Sequence, residues 1–385
     1  QMGKCRFGGR CYRKNIEHLR EFHPEKIEKD DEKEFEEAPE EVKDTGRATK
    51  RKVEDVEEDS KRCKNDEDVD GSNGDLEVNQ VHDEDESSSY TSPRVPFLPQ
   101  PSFVHTLWKR ANELNKEDPR DAFSSLVDIR LVGIFDFFMG DLDTATDDEI
   151  RVHARFLTDL PEMQTIMTTT TGRYALWRDE PNQKNPLVVY VKSNEEHFPK
   201  IQVIGDHILH AFLHAAGDKA KDVFDKFFPD PTYTVEELKA SSTACVKKRS
   251  SKGIGRPFHG ARIHVEVDAN DVGYRSLNVD LNKLKRTLTT IGETEEDIVR
   301  KKKMMEIREI NTNVQLANDE CDFGMGLEFG HDLFVANYEP LDAMAKRSLA
   351  MAYMLLNRTE FGAIIEAHMA SGIRRRQDIM FKKAE

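Results

Sequence analysis

Residues 173–206 decide the fold and read RYALWRDEPNQKNPLVVYVKSNEEHFPKIQVIGD. They contain three short runs rich in β-branched, aromatic and other apolar residues: RYALWRDE, LVVYVKS and KIQVIGD. Polar segments with proline and asparagine separate these runs, which is typical of strands joined by short connections. The stretch therefore predicts a β-sheet in the middle of the chain.

Helical patterns lie on both sides of these strands. Upstream, residues 121–140 carry apolar side chains at helical spacing behind a cap at Asp118-Pro119, and residues 147–167 predict another helix and a turn marked by proline. Downstream, residues 261–268 (ARIHVEVD) predict another strand, and long helices are expected at 281–312 and 341–369. This order predicts an α+β fold, in which a helical N-terminal part is followed by a mixed β-sheet with helices.

Composition predicts how the chain is divided. Residues 25–90 hold 26 acidic and 11 basic side chains and few large apolar groups, so 25–96 is expected to be a disordered acidic linker. Residues 3–24 are rich in cysteine, histidine, glycine and aromatics and are expected to form a small separate unit. The body is expected to contain a helical subdomain at 97–175 and an α/β subdomain at 176–385.

The net charge of −16 resides mostly in the linker, so it does not exclude contact with a polyanion at the N-terminus. Five cysteines at irregular spacing do not predict a disulfide framework, and no apolar run approaches 18 residues. These features predict a soluble protein of a reducing compartment. Basic clusters at 50–52 (KRK) and 61–64 (KRCK) predict a bipartite nuclear signal, with a solvated charge run as the alternative.

The small N-terminal unit reads KCRFGGRCYRKNIEHLREFHP over residues 4–24. Two thiols, Cys5 and Cys11, and two imidazoles, His18 and His23, can supply the four ligands of a closed tetrahedral zinc site. A unit this short has almost no core, so Zn²⁺ binding is expected to drive its folding. The alternative is a chance cluster of cysteine and histidine on a disordered tail.

The most informative stretch of the body is QLANDECDFGMGLEFGHDLF, residues 315–334, where Asp319 and Glu320 precede three glycines. Acids and glycines in this pattern predict a loop that presents polar groups. A metal site, a phosphate site and a general base are all open on this pattern. Because carboxylates repel phosphates, a general base or a calcium-like site is favoured among them, and a solvated acidic turn is the simplest interpretation.

The N-terminal unit resembles the poly(ADP-ribose)-binding zinc finger, with one residue fewer than usual between its two histidines. The matching residues are Phe7-Gly8, Cys11-Tyr12-Arg13 and the end from His18 to His23-Pro24. The resemblance implies that Phe7, Tyr12 and Arg13 hold adenine rings and phosphates of poly(ADP-ribose). This role agrees with their chemistry, because aromatic faces stack on bases and arginine forks onto phosphates.

The body resembles the histone PARylation factor family over most of residues 97–385. The densest matches are FHGARIHVEVDANDVGYRSL at 258–277 and LANDECDFGMGLEFG at 316–330. The resemblance implies that Glu320 is the catalytic base toward an acceptor serine, with Asp319 in a supporting role. It also implies that Tyr274 and Arg275 dock a partner transferase.

The resemblance implies an accessory factor that is not an enzyme alone and completes the active site of a poly(ADP-ribose) polymerase in trans. The expected reaction is serine ADP-ribosylation of histones and other proteins in the DNA damage response. NAD would be bound by the partner, and Zn²⁺ would sit only in the finger. Histones and poly(ADP-ribose) are further expected partners, no membrane is expected, and direct DNA contact stays open. The expected location is the nucleus, on chromatin at DNA damage sites.

Two other functions remain as alternatives. The first is a free-standing ADP-ribosyl hydrolase that uses Asp319 and Glu320, although adjacent acids project in different directions on most backbones and suit paired work on one bond poorly. The second is a non-catalytic poly(ADP-ribose) reader. His207, His210 and His214 lie at helical spacing without the HExxH pattern of zinc proteases, so they are interpreted as structural.

Overall fold

A five-stranded antiparallel sheet forms the centre of the fold. The computed structural model describes residues 98–229, 234–370 and 373–375. The strands are β1 (Arg130–Leu131), β2 (Met163–Thr168), β3 (Gly172–Trp177), β4 (Leu187–Lys192) and β5 (Gln202–Gly205). They lie in chain order, and each is antiparallel to its neighbour. The α+β class is confirmed. The sheet is antiparallel throughout rather than mixed as expected. Short connections join consecutive strands from β2 to β5, and such connections produce antiparallel neighbours.

Helices surround this sheet in the described part of the chain. The α-helices are α1 (Ser102–Leu114), α2 (Ser124–Val127), α3 (Ile134–Phe138), α4 (Asp147–Val152), α5 (Leu209–Ala216), α6 (Ala220–Phe227), α7 (Val235–Lys252), α8 (Leu281–Glu293), α9 (Asp297–Asp319), α10 (Phe323–Ala336), α11 (Asp342–Leu355) and α12 (Thr359–His368). Short 3₁₀ turns occur at Pro119–Asp121, Gly217–Lys219 and Glu339–Leu341.

Both faces of the sheet are covered, which explains the near-continuous apolar runs of its strands. All six residues of β3 are buried. Tyr174 and Leu176 join a hydrophobic cluster that includes residues of α1, α5 and α6. Ala175 and Trp177 point the other way, into a larger cluster with residues of α8 to α12. Side chains alternate between the faces of a strand, so burial of both sets requires a layer of helices on each side.

Several local predictions are corrected. The expected helix at 121–140 is broken into α2, β1 and α3, with Asp128 and Gly133 at positive φ between them. Residues 261–268 form no strand and contribute only an isolated bridge from Ile263 to Ile254. The predicted division at residue 175 stays a prediction, and that residue lies inside β3.

A buried chain of hydrogen bonds connects the sheet side of the fold with α10 and α11. His259 accepts the amide N–H of Ala261 on Nδ1 at 3.2 Å, so its Nε2 is the donor toward Nδ1 of His331, 3.1 Å away. Nε2 of His331 in turn donates to Glu162 at 3.0 Å, and the Tyr353 hydroxyl donates to the same carboxylate at 2.9 Å. This direction of donation requires the His259 imidazole to be neutral.

Burial of four histidine rings, those of His207, His210, His214 and His259, predicts that the protein loses stability in mild acid. Burial lowers the pKa of His259 well below its usual value, and it also lowers those of His207, His210 and His214. The unfolded chain therefore binds more protons below about pH 6.5, and the free energy of unfolding falls as the pH drops from 7 to 5. Burial also raises the pKa of Asp332, so this one carboxyl group increases the free energy of unfolding as the pH falls and partly offsets the effect of the four histidines.

Urea denaturation at pH 7, 6 and 5 measures the effect. His259→Asn is expected to flatten the decline, while His105→Asn, at an exposed ring, is expected to keep the wild-type slope. Stability that rises between pH 7 and pH 5 in the wild-type protein would contradict the burial of neutral histidines.

Candidate functional site

Residues 320–322 form a tight turn between two helices, so the predicted loop at 315–334 is wrong except at these positions. α9 runs to Asp319, and α10 begins at Phe323. The amide groups of Glu320 and Asp322 both donate to the carbonyl of Ala317, at 3.1 and 2.8 Å. Cys321 takes a left-handed φ of 64°, a conformation that commonly ends a helix and reverses the chain.

The segment that carries Tyr274 and Arg275 is attached to this turn by two hydrogen bonds of the Gly273 backbone, one to a side chain and one to the backbone of the turn. The amide of Gly273 donates to Oδ1 of Asp322 at 3.0 Å, and its carbonyl accepts the amide of Gly324 at 2.8 Å. Gly324 permits this approach, because a Cβ there would lie 2.7 Å from the Val265 side chain and 3.0 Å from the Gly273 carbonyl. The two stretches singled out in the sequence are therefore joined in space.

Arg275 and Glu320 form an ion pair in this cluster. The same guanidinium lies 3.0 Å from Oδ2 of Asp322. The side chains of Arg275 and Glu320 are 22% and 21% exposed, whereas that of Asp322 is fully buried. One cation thus holds two carboxylates, one of them at the surface. The structure brings the expected docking arginine and the expected base together.

Asp319 is not part of this cluster. It is exposed and lines a groove between α9 and α11, together with Arg308 and Arg347. Its carboxylate makes no hydrogen bond or ion pair with any residue that the structure describes. The two neighbouring acids therefore face different surroundings, and the supporting role expected of Asp319 stays a prediction.

Tyr274 is fixed by a carboxylate that sequence reasoning missed. Its hydroxyl donates to Oε2 of Glu328 at 2.7 Å, and burial together with that carboxylate raises the pKa of Tyr274. Glu328 is only 3% exposed, and its Oε1 accepts the amide N–H of Arg256 at 2.6 Å. Asp322 was missed as well. The sequence did carry a signal for both residues. Glu328 lies within the apolar, glycine-rich run of α10 and Asp322 directly before it, and an acid buried in such surroundings needs hydrogen-bond or ion-pair partners.

The predicted finger lies outside the described residues. Its expected zinc ligands and its expected poly(ADP-ribose) contacts therefore stay predictions: Cys5, Cys11, His18 and His23, and Phe7, Tyr12 and Arg13. Among residues 98–229, 234–370 and 373–375, no group of three metal-ligating side chains occurs. No helix in the same ranges is long and apolar enough to span a membrane.

The central histidines bind separate partners. His210 hydrogen-bonds Ser241 through Nε2 at 2.9 Å, and Nδ1 of His214 hydrogen-bonds the Tyr174 hydroxyl at 2.9 Å. His207 accepts the amide N–H of Leu209 at 3.2 Å. These contacts agree with a structural role for the three rings.

Fold and site together define a class: an α+β protein whose candidate site is a carboxylate–guanidinium cluster at a surface turn. A family model described as Histone PARylation factor 1 matches residues 96–372, and a PBZ domain model matches residues 2–26. The chain is 36% identical to Histone PARylation factor 1 of Bos taurus over 292 residues, which cover 71% of this chain and 84% of that protein.

Two further relatives give similar values. Histone PARylation factor 1 of Danio rerio is 35% identical over 294 residues, 72% of this chain and 84% of the relative. Putative histone PARylation factor 1-like of Homo sapiens is 36% identical over 301 residues, 73% of this chain and 85% of the relative. The chain belongs to the histone PARylation factor 1 family.

Proposed function

We propose that this chain is an accessory factor that binds a poly(ADP-ribose) polymerase and supplies Glu320 as the base for ADP-ribosylation of serine. One observation carries the proposal: Glu320 and Arg275 lie in a single ion-paired cluster at a surface turn, next to Tyr274. Membership of a family named for histone PARylation supports a factor that acts with another enzyme.

The chemistry explains why serine needs a base. A serine hydroxyl is a poor nucleophile at neutral pH, whereas aspartate and glutamate acceptors are already ionised. In the proposed step, the Glu320 carboxylate accepts the hydroxyl proton while the serine Oγ bonds to the anomeric carbon of the ribose of NAD. The bond from that carbon to nicotinamide breaks, and nicotinamide leaves with the electron pair. The polymerase holds NAD throughout.

The ion pair controls when the base is available. A carboxylate beside a guanidinium is stabilised in its charged form and is a weaker base. We infer that docking turns the Arg275 guanidinium toward a carboxylate of the polymerase, while its remaining N–H groups stay with Asp322. Glu320 is then released toward the acceptor. Docking by Arg275 and proton transfer to Glu320 are thus proposed as consecutive steps at one cluster.

The geometry gives less support to a free-standing hydrolase. Such an enzyme would need two carboxylates that face one bond. Here Glu320 contacts Arg275, whereas Asp319 lines the groove between α9 and α11. A non-catalytic protein that binds poly(ADP-ribose) is compatible with the predicted N-terminal finger. That alternative gives the cluster of Arg275, Glu320 and Asp322 no function.

A reconstituted reaction tests the proposal. The chain with NAD alone is expected to release no nicotinamide. Addition of a poly(ADP-ribose) polymerase and a histone peptide with one serine is expected to give serine modification that depends on this chain. Polymerase activity on serine that does not change when the chain is added would count against the accessory role.

The N-terminal finger is proposed to bind Zn²⁺ and poly(ADP-ribose). Two thiolates and two imidazoles suit tetrahedral Zn²⁺, and the PBZ match spans all four. Removal of the metal with a chelator is expected to abolish binding of poly(ADP-ribose), because so small a unit has no other source of folding energy. Transfer to a free peptide is expected to continue.

Cys5→Ala is expected to reproduce the chelator effect in a filter-binding measurement. The matched control is Cys63→Ala, a cysteine of the linker outside the predicted finger. Equal loss in both variants, or undiminished binding after chelation, would contradict a zinc-dependent finger.

The place of action is proposed to be the nucleus, on chromatin at DNA damage sites, with histones among the acceptors. The basic clusters at 50–52 and 61–64 support nuclear import. The predicted finger would retain the chain where poly(ADP-ribose) has already formed.

A further inference from the structure

The segment at 253–262 is fixed to α10 by two buried carboxylates. Glu328 and Asp332 lie one helical turn apart and are 3% and 0% exposed. Oε1 of Glu328 accepts the amide N–H of Arg256 at 2.6 Å, and Oδ1 of Asp332 accepts that of Phe258 at 2.7 Å. The backbone of this segment therefore has a defined position although it contains no helix and only one β-bridge.

Glu328 also joins this segment to the proposed docking tyrosine. Its second oxygen, Oε2, accepts the Tyr274 hydroxyl at 2.7 Å. The Arg256 backbone and the end of the Tyr274 side chain are consequently held on one carboxylate. Residue 256 therefore lies near the proposed docking tyrosine.

The guanidinium of Arg256 is available at this position. Arg256 is exposed, and its side chain makes no hydrogen bond or ion pair with any residue that the structure describes. Nearby arginines differ, because Arg249 pairs with Asp179 and Arg262 donates to the Gly255 carbonyl. Residues 238–263 contain seven lysines and arginines and no acid, so the sequence around Arg256 supplies no neutralising charge.

We propose that Arg256 is a second cationic contact for the polymerase, binding an acidic side chain next to the segment held by Tyr274 and Arg275. Glu328 is the residue that positions this contact. The inference rests on the proposed docking function. A protein carboxylate is favoured over nucleic acid, because the backbone of Arg256 is held on the same Glu328 carboxylate as the proposed docking tyrosine, next to the surface proposed to meet the polymerase.

Charge substitutions test the contact in the full chain. Arg256→Ala is expected to weaken binding to the polymerase about 3- to 10-fold, and Arg256→Glu more, mainly through slower association that is strongest at low salt. The rate of serine transfer at saturating chain is expected to stay unchanged. Arg286→Glu is the matched control, since Arg286 is exposed on α8 and its side chain has no described partner.

The positioning role of Glu328 has its own readout. Glu328→Gln is expected to keep near-wild-type affinity, because the amide oxygen can accept from Arg256 and the amide NH₂ can donate to the Tyr274 hydroxyl oxygen. Glu328→Ala is expected to lose affinity without losing the transfer rate at saturation. Addition of Arg256→Ala to Glu328→Ala is expected to cost less than Arg256→Ala alone, which a double-mutant cycle measures.

Wild-type affinity of Arg256→Glu at low salt would overturn the inference. So would an Arg256→Glu variant that loses binding to a short DNA duplex and keeps its affinity for the polymerase. Failure of the wild-type chain to bind the polymerase would instead overturn the proposed function itself, so the two outcomes are distinct.

Discussion

Glu320→Gln is expected to slow transfer of ADP-ribose to serine by about 10²- to 10⁴-fold, the contribution typical of a positioned general base. The amide keeps the shape of the side chain and can still accept a hydrogen bond from Arg275. It cannot take a proton from the serine hydroxyl. Affinity for the polymerase is expected to change little, because Tyr274 and Arg275, the proposed docking residues, keep their contacts with Glu328 and Asp322. Initial rates in the reconstituted reaction measure the loss.

The neighbouring acid provides the control for this variant. Asp319→Asn removes the same charge one residue away, but its carboxylate faces the groove between α9 and α11. A much smaller effect is therefore expected. Equal losses in Asp319→Asn and Glu320→Gln would show that the charge of the turn matters and that Glu320 has no special part in the proton transfer.

Arg275→Met is expected to weaken polymerase binding by about 30-fold or more, since arginines at the centre of an interface commonly contribute 2 kcal/mol or more. The substitution also removes the cation 3.0 Å from the fully buried Asp322 carboxylate. Breaking a buried ion pair in this way typically costs about 3–5 kcal/mol of stability. Loss of binding by this variant alone would therefore mix docking with folding.

A double variant separates the two effects. Arg275→Met combined with Asp322→Asn removes both charges of this ion pair, and the asparagine oxygen can still accept the amide of Gly273. Urea denaturation is expected to show recovered stability, while titration with the polymerase is expected to show that binding stays lost. Recovery of binding in the double variant would mean that Arg275 acts only through the fold.

The central sheet could be predicted because its strands carry their own signal. The runs at 173–180, 187–193 and 200–206 are apolar and β-branched over the length of a strand, and the structure places β3, β4 and β5 there. Residues 261–268 carry a similar pattern and remain outside the sheet. Pattern alone does not distinguish a strand from an extended segment whose backbone N–H and C=O groups form hydrogen bonds with loops. Gly273, five residues beyond this run, makes such contacts: its amide donates to Asp322, and its carbonyl accepts the amide N–H of Gly324.

The helix that follows the site was mispredicted for a physical reason. Glycines at 324, 326 and 330 lower intrinsic helix propensity, so the sequence alone favours a loop there. In the structure, every residue from Gly324 to Ala336 is buried, and Gly330 lies where a Cβ would come within 2.7 Å of Leu349. Close packing against α11 outweighs propensity here.

The sequence supplies candidate residues for the site but not their arrangement. Resemblance implies roles for Glu320, Tyr274 and Arg275 one by one, and these roles stay predictions. Their meeting depends on a contact between segments 45 residues apart, which no local pattern encodes. Glu328 and Asp322 were missed because their importance comes from what they hold, the Tyr274 hydroxyl and the Gly273 amide.

We propose that Glu320 completes the active site of another protein for serine acceptors in particular. The most direct measurement compares single-turnover transfer from NAD to two peptides that differ only in a serine or an aspartate acceptor, with polymerase and saturating chain. Glu320→Gln is predicted to slow transfer to serine by about 10²- to 10⁴-fold and to leave transfer to aspartate unchanged, since an ionised acceptor needs no base. Serine transfer at the wild-type rate with Glu320→Gln would contradict the proposal.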